Sequence, residues 1–369
     1  MLQQKGYQYR IYPTKQQQQL INQTLGCARF VYNRFLNIRK EAWTNSKTSV
    51  TYKQTSKMLT ELKCEPDYVW LNVVDSTSLQ QALKDLDKGF KNFFAKKAGY
   101  PRYKSKHNHC LSYRSQCVNN NIAITNGKLK LPQIGLVKIK LSMNFTGRIL
   151  NVTVSRKATG KYFVSLCVEE EVEIFPNNGG EIGIDVGIKD FYSDSNGDVA
   201  ANPKTLKKYG KKLAREQRKL SRKAKGSNNR NKQRIIVARV HEKIANIRKD
   251  YLNKVSTKLV KENQLIGIED LQVRNMLKNH QLAQAISDVS WSEFFRMLEY
   301  KAVLHGCRVV RIPRFYPSSQ KCCKCGYQNK DTKTLAIRAW NCPVFGHHHD
   351  RDVNAARNIL AKAKEIIAA

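Results

Sequence analysis

Glu181-Ile-Gly-Ile-Asp185 and Leu265-Ile-Gly-Ile-Glu269 echo each other: each is a short apolar run that ends in an acid. Runs of this length and composition read as strands buried in the centre of a sheet. In an open α/β sheet, ligands meet the carboxyl ends of the strands, so an acid there faces a crevice and not the core. A third acid, Asp352, opens the last helical stretch, His349-Asp-Arg-Asp-Val-Asn-Ala-Ala-Arg-Asn-Ile359. Three acids brought together repel one another and call for a cation. Mg²⁺ takes hard oxygen ligands and keeps waters, which suits carboxylates that also meet phosphate. Two such ions can activate a water and stabilise the departing oxygen of a phosphodiester. Taken alone, Asp352 reads as a helix N-cap and Asp185 as a turn residue. The matched strand ends favour the nuclease reading. Asp190, Asp270 and Asp350 are assigned structural or outer positions.

Around these segments, strand and helix alternate from about residue 180, the pattern of an α/β domain. Between Lys204 and Lys249 there are 18 basic residues against two acids, Glu216 and Glu242. Ala-Lys-Gly-Ser-Asn-Asn-Arg-Asn at 224–231 divides that stretch into two helices. Upstream, residues 110–172 alternate in twos: 128–131, 137–141, and a hairpin of 149–156 with 161–170 around Ala158-Thr-Gly160. These strands predict a small barrel, completed by an isolated strand at 5–12. A helical bundle is then inserted over 13–96. It starts at the capping box Thr14-Lys-Gln-Gln17 and carries the stripes Leu20, Ile21, Leu25, Ala28, Val31, Tyr32, Phe35 and Leu79, Leu83, Leu86, Phe90, Phe93. Both stripes read as core packing.

The chain has 369 residues, room for two or three domains. Lys and Arg total 66 against 29 Asp and Glu, a formal charge of +37. A body this basic repels itself unless a polyanion neutralises it. Nucleic acid is the obvious one, because releasing its condensed counterions drives binding. A merely soluble basic protein, such as a ribosomal or nucleoid component, is the bland alternative, and it has no use for acids at strand ends. No run is long and apolar enough to predict a membrane span. No apolar secretion segment opens the sequence either. The expectation is an intracellular, cytoplasmic protein without a membrane role.

Six of the ten cysteines, Cys27, Cys64, Cys110, Cys117, Cys167 and Cys307, are scattered and read as buried thiols in a reducing compartment. The other four cluster. Cys322-Cys-Lys-Cys325, followed after 16 residues (the first of them Gly326) by Cys342-Pro-Val-Phe-Gly-His347, has the form of a zinc ribbon. Phe345 stands where a fourth cysteine is usual. Cys322, Cys325 and Cys342 are therefore candidate Zn²⁺ ligands, with His347 as the fourth and His348, His349 or Cys323 as alternatives. A ribbon held by packing alone remains open.

These residues resemble the transposon-encoded TnpB family of compact RNA-guided nucleases, akin to type V CRISPR effectors. The resemblance spans nearly the whole chain. It runs through Tyr9-Arg-Ile-Tyr-Pro13, Cys27-Ala-Arg-Phe-Val-Tyr-Asn33, Leu79-Gln-Gln-Ala-Leu83, Phe93-Phe94, Tyr100-Pro-Arg-Tyr103, Gly183-Ile-Asp-Val-Gly-Ile-Lys-Asp-Phe191, Ile268-Glu-Asp-Leu271, Pro317-Ser-Ser-Gln320, the cysteine segment, and Asp350-Arg-Asp-Val-Asn-Ala-Ala356. It implies a multidomain α+β chain: a β-barrel wedge domain (1–12 and 106–175) with an inserted helical recognition domain (13–105). An RNase H-like RuvC nuclease domain (176–314 and 350–369) follows, interrupted by a zinc-ribbon-like target-nucleic-acid-binding segment (315–349). It further implies catalytic Asp185, Glu269 and Asp352 with Mg²⁺, a noncoding guide (omega-type) RNA, and one protein per RNA. The double-stranded DNA target would be cut on both strands after recognition of a short transposon-adjacent motif, in a prokaryotic cytoplasm at the nucleoid. Family position points to Tyr52, Ser56, Ser76, Thr77, Gln80 and Asn119 as motif-reading residues. The alternative, an RNA-guided DNA-binding repressor that no longer cuts, predicts the loss of an acid. All three are present.

Overall fold

The computed structural model describes residues 2–107, 111–334 and 336–369; Cys110 lies outside them. The chain divides into two units, Met1–Val172 and Glu173–Ala369.

In the first unit, β1 (Leu2–Tyr12) leads into α1 (Lys15–Ser46), α2 (Tyr52–Leu62) and α3 (Ser76–Phe94). The strands β2 (Leu111–Gln116), β3 (Ala123–Thr125), β4 (Lys128–Leu131), β5 (Gly135–Lys140), β6 (Arg148–Arg156) and β7 (Tyr162–Glu171) follow. They form one antiparallel sheet in the order β2-β6-β7-β1-β5-β4-β3. The predicted hairpin is present, with Arg156 opposite Tyr162. The N-terminal strand does not close a ring. It lies between β7 and β5, and β2 and β3 end as edges, so the sheet is curled like half a barrel and not a closed one. Alternation explains its core: Tyr162, Val164, Leu166, Val168 and Glu170 of β7 all point inward. The last of these is an acid, and it is satisfied by the Tyr7 hydroxyl at 2.6 Å and Lys5 Nζ at 3.0 Å.

The helices start where their chemistry predicts. Thr14 and Gln17 form the reciprocal capping box, and Thr51 with Gln54 forms a second. Ile21, Leu25, Val31 and Phe35 of α1 share a core with Leu79, Leu83 and Leu86 of α3. The α3 stripe stops being core there. Phe90 and Phe93 are only half-buried and Phe94 is exposed, because the α1 side chain facing Phe90 is Arg39 and not an aliphatic residue.

The second unit contains β8 (Gly180–Val186), β9 (Asp190–Asp194), β10 (Val199–Ala201), α4 (Thr205–Ser221), α5 (Asn228–Glu262) and β11 (Asn263–Glu269). Then come α6 (Val273–Met276), α7 (Ala283–Val289), α8 (Trp291–Leu304), β12 (Arg308–Ile312), β13 (Ala339–Asn341), β14 (His348–Asp350) and α9 (Arg351–Ala368). Its main sheet has the order β10-β9-β8-β11-β12. β8, β9 and β10 run antiparallel in a meander; β11 is parallel to both β8 and β12. Period-two alternation sorts the two echoed segments. Ile182, Ile184, Ile266 and Ile268 face a core made with Leu252 and Leu259 of α5 and Phe294 and Leu298 of α8. The intervening Gly183 and Gly267 face α9. The basic stretch is a helical pair, α4 and α5, broken at 222–227, slightly before and shorter than the predicted 224–231, and held by a small core of Leu213, Val237, Val240 and Ile244.

Among the described residues, no helix is long and apolar enough to cross a membrane. All nine described cysteines are free. Cys27 and Cys307 are buried as expected, whereas Cys64 is exposed at the end of α2.

Candidate active site

Asp185 and Glu269 stand at the same level of neighbouring parallel strands, since Ile184 pairs with Ile268 one residue earlier. Each lies two residues beyond a glycine, so both acids share the glycine face, the side that α9 covers. Glycine is required there. A Cβ on Gly183 would lie 2.0 Å from the Ala356 carbonyl oxygen, and one on Gly267 would lie 3.0 Å from the Ala363 Cβ. With no side chain in the way, α9 packs its backbone against the sheet and its first turn reaches the strand ends. That turn carries Asp352.

Asp352 is not the cap. Asp350 fills that role, accepting from the backbone N–H of Asp352 and of Val353 at 3.0 Å each. This leaves the Asp352 carboxylate free of a helical duty, and it pairs with Arg338 at 3.4 Å. Glu269 accepts a hydrogen bond from the buried Ser318 hydroxyl at 2.8 Å. Asp270, beside it, is taken up by Arg314 at 2.8 Å and Arg311 at 3.7 Å, and Asp190 lies 4.0 Å from Lys189.

Burial pushes the Asp185 carboxyl well above the usual carboxylate range, reinforced by the charges of Glu269 and Asp352 and opposed by Arg351 and Arg338. Burial also raises Glu269, against the lowering effect of Ser318. Asp185 thus stands within the field of both other acids. The three are not drawn into a cluster as tight as the cysteines, whose three Sγ atoms lie within 4.8 Å of one another.

A raised carboxyl binds its proton more tightly folded than unfolded. Its contribution to stability is complete below the unfolded value, about pH 4, and is lost as pH rises through the raised folded value. Asp185→Asn, which needs no proton, is therefore expected to melt above the parent at neutral pH without added magnesium. Thermal scans should show the gap closing toward pH 4. A gap that does not change with pH would assign the effect to packing alone.

Ser318 and Asn354 lie in the segments that carry the family resemblance, but the resemblance assigns no role to them or to Asn358. Asn354 Nδ2 donates to the Lys321 carbonyl at 2.8 Å, and Asn358 Nδ2 donates to the Ser318 carbonyl at 2.8 Å. One turn apart on α9 (i, i+4), they hold the 317–321 loop over Glu269. Their spacing after Asp350 was the available signal.

The same loop leads into the cysteine segment. Cys322 and Cys342 are buried beside Trp340, and Cys325 Sγ is 3.4 Å from Cys342 Sγ. Both turns have one form: Gly326 N–H donates to the Cys322 carbonyl and Gly346 N–H to the Cys342 carbonyl, with φ of +80° and +64° at the glycines. The second turn therefore keeps its shape although Phe345 replaces a thiol and is 61% exposed. The histidine brought to Cys322 is His349, with Nε2 at 3.1 Å from Sγ. His347 stands behind it, its ring 4.7 Å from that of His349. His348 turns outward to Asn341, and the Cys323 N–H is spent on Asn354.

The six residues selected for motif reading lie in the first unit. Ser76 and Gln80 are exposed on α3, Asn119 is exposed in the turn after β2, and Tyr52 and Ser56 are half-buried on α2. Thr77 differs from the rest. Its hydroxyl is bound to Asp75 at 2.7 Å and Ser115 at 2.9 Å, tying α3 to β2.

Three family models match the chain: "Probable transposase" over residues 165–280, "Cas12f1-like, TNB domain" over 291–359, and "Helix-turn-helix domain" over 1–48. Across the last range the backbone is one strand and one long helix. A Streptomyces pristinaespiralis protein named "Putative RNA-guided DNA endonuclease" is 43% identical over 360 residues, covering 97% of this chain and 89% of that one. The chain belongs to the TnpB family. Another relative bearing the same designation, InsQ of Escherichia coli K12, is 35% identical over 99% of this TnpB chain and 93% of its own. Among solved structures, the Cas12f1 chain of a Cas12f1–sgRNA–target DNA complex superposes with a TM-score of 0.59 at 13% identity. The superposition covers 97% of this chain and 98% of that one, and it shows the shared mixed α/β fold.

Proposed function

We propose that this TnpB protein is an RNA-guided DNA endonuclease. It binds a transposon-derived guide RNA, recognises a short motif beside its target and hydrolyses both DNA strands at one centre. The observation that carries this reading is Asp185 at a buried strand end, level with Glu269 and within the field of both Glu269 and Asp352, in a chain of charge +37. The sheet order, with β8 central and β9 antiparallel, supports an RNase H-like RuvC domain. The curled sheet and inserted helices correspond to wedge and recognition domains. The relatives' names support the RNA and DNA partners.

The donor set fits a hard divalent cation: three carboxylates, two of them with burial that disfavours their unpaired charge. Asp185, Glu269 and Asp352 would hold Mg²⁺, which supplies an activated water and stabilises charge on the phosphodiester oxygens. Ser318 fixes the Glu269 carboxylate, Asp350 caps α9 so that Asp352 is free to point at the strand ends, and Gly183 sets their separation. The heteroduplex is held by backbone charge and shape while base pairing carries sequence. The basic faces of α4 and α5 supply such charge. Direct readout of the motif falls to Ser76, Gln80 and Asn119 with Tyr52 and Ser56, while Thr77 positions α3. The repressor alternative is disfavoured by the intact acids.

The cysteine segment fits Zn²⁺. Cys322, Cys325 and Cys342 would supply three thiolates, and His349, whose Nε2 lies 3.1 Å from Cys322 Sγ, is the candidate fourth ligand in place of His347. Such a metal contributes folding energy. Here it would also stiffen β14, which runs directly into the Asp350 cap. Metal analysis is expected to give about one zinc per chain, reduced by His349→Ala and unchanged by His347→Ala. Absence of zinc from the parent would mean a ribbon held by packing.

The test of function is to sequence the RNA that copurifies with the protein and then challenge the complex with a DNA library matching its 3′ segment. One defined RNA and cleavage next to a common motif are expected. Bulk cellular RNA and no cleavage would contradict the proposal.

A further inference from the structure

The apolar stripe of α3 runs on past the core that it shares with α1. Beyond Leu86, α3 carries Phe90, Phe93 and Phe94, which surround a cavity of about 650 Å³ with Trp43 of α1 and Tyr100 of the following segment. Phe90 and Phe93 are locked: Tyr100 meets both edge-on, with ring centroids at 5.5 and 5.3 Å. The outer rings are less enclosed, although Phe94 lies 5.3 Å from Phe93 and 6.4 Å from Phe90. Phe94 is 75% exposed and Trp43 is 57% exposed. Large rings left open around a concave site mark a binding surface and not a core.

The charged groups are mostly cationic: Arg39, Lys53 and Lys91 against one acid, Asp87, which pairs with Lys91 Nζ at 3.0 Å. Arg39, only 8% exposed, lies in the cavity wall with its guanidinium 5.1 Å from the Phe90 centroid. One Nη is held by Asp87 at 3.2 Å, but its Nε has no partner. An unpaired donor shielded from solvent is costly, and a small rotation of the guanidinium toward the cavity would let it meet an acceptor. Lys53 and Lys91 stand exposed at the same cavity, and Lys47 lies over Trp43. Aromatic faces with a buried donor and rim cations are the chemistry of an unpaired nucleotide. Every base has a π-face to stack, a heteroatom edge to accept, and a phosphate for the rim. A neutral or basic peptide would gain nothing from the rim charge, and an acidic one would leave the open rings without stacking partners.

We infer that the cavity between α1, α3 and Tyr100 takes one unpaired nucleobase, stacked on Phe94 and Trp43, with its edge at Arg39 and its phosphate at Lys53 and Lys91. Tyr52 borders the same cavity, so the bound nucleotide lies next to the candidate motif-reading helix. The inference rests on the nucleic-acid-guided reading proposed above. The nucleotide can come from the guide RNA or from an opened DNA strand, and the chemistry is shared.

Ultraviolet cross-linking of the full protein separates the cases. One arm uses the RNA that accompanies purification. The other uses a mixed-sequence single-stranded DNA oligonucleotide, and both are read by peptide mass spectrometry. Nucleotide adducts are expected on the peptides bearing Trp43, Phe94 and Tyr100, with the ribose or deoxyribose mass naming the source. Phe94→Ala, an exposed position, should reduce adducts at Trp43 and Tyr100 about tenfold, with those on α4 and α5 unchanged, and Phe94→Trp should restore them. Adducts on α4 and α5 with none around this cavity would overturn the pocket and leave the guided reading intact. A chain that carries no RNA and cross-links to neither probe would overturn both.

Discussion

Asp185→Ala is expected to lower cleavage of guide-matched DNA by about 10³-fold or more while RNA and target binding are retained. The magnitude follows from the position. Charge stabilisation at such a centre is worth several kcal/mol, and every 1.4 kcal/mol is about a factor of ten. Asp185 is central to the constellation, since both other acids act on it. Binding should survive because the side chain is small and sits at a strand end on the sheet face that α9 covers, opposite the face packed on α5. Gel-shift and cleavage assays on the same preparation check both halves. Cleavage at parental rates would remove Asp185 from the chemistry, and loss of RNA binding would make its role structural.

Gly183→Ala, a single methyl, is expected to be nearly as damaging to cleavage by a different route. The new Cβ would meet the Ala356 carbonyl oxygen at 2.0 Å and the Leu360 backbone nitrogen at 2.7 Å. Both are backbone atoms of a helix, so neither can yield by a rotamer change; α9 must move as a body. Overpacking of this kind costs about 1–3 kcal/mol, occasionally more, and this site belongs at the upper end. For a unit of this size that lowers the melting temperature by about 6–12 °C. Because the displaced helix carries Asp352, cleavage should fall further than stability does at temperatures where the protein remains folded. Gly267→Ala, with its closest contact at 3.0 Å to a side-chain methyl, should cost less on both measures. Equal effects from the two glycines would contradict the close-approach account.

Much of this arrangement is legible in the sequence because it depends on local pattern. Two apolar runs ending in acids are short enough to be strands and symmetrical enough to be neighbours. Their pairing one residue before the acids follows the same logic. The capping box at Thr14 and the break between α4 and α5 are equally local. What escapes are partners far away in sequence. Gly183 looks like an ordinary strand residue until α9, some 170 residues later, is laid against it. Asp350 and Asp352 are interchangeable as caps on paper; only the backbone directions give the cap to the first and leave the second free. His347 sits in the expected place after Cys342, yet the β13–β14 pairing turns His349 inward, opposite Trp340. The half-barrel reads as a barrel because strand period does not report which edges meet. The α3 stripe keeps its helical period through Phe93, but period shows which residues share a face and not whether another helix covers it.

Anomalous diffraction from crystals of the protein, with its copurified RNA and Mn²⁺ in place of Mg²⁺, bears most directly on the central claim. The predicted result is one or two manganese peaks at about 2.1 Å from carboxylate oxygens of Asp185, Glu269 and Asp352 together. Manganese elsewhere, with Asp352 still turned to Arg338 and Glu269 to Ser318, would contradict it.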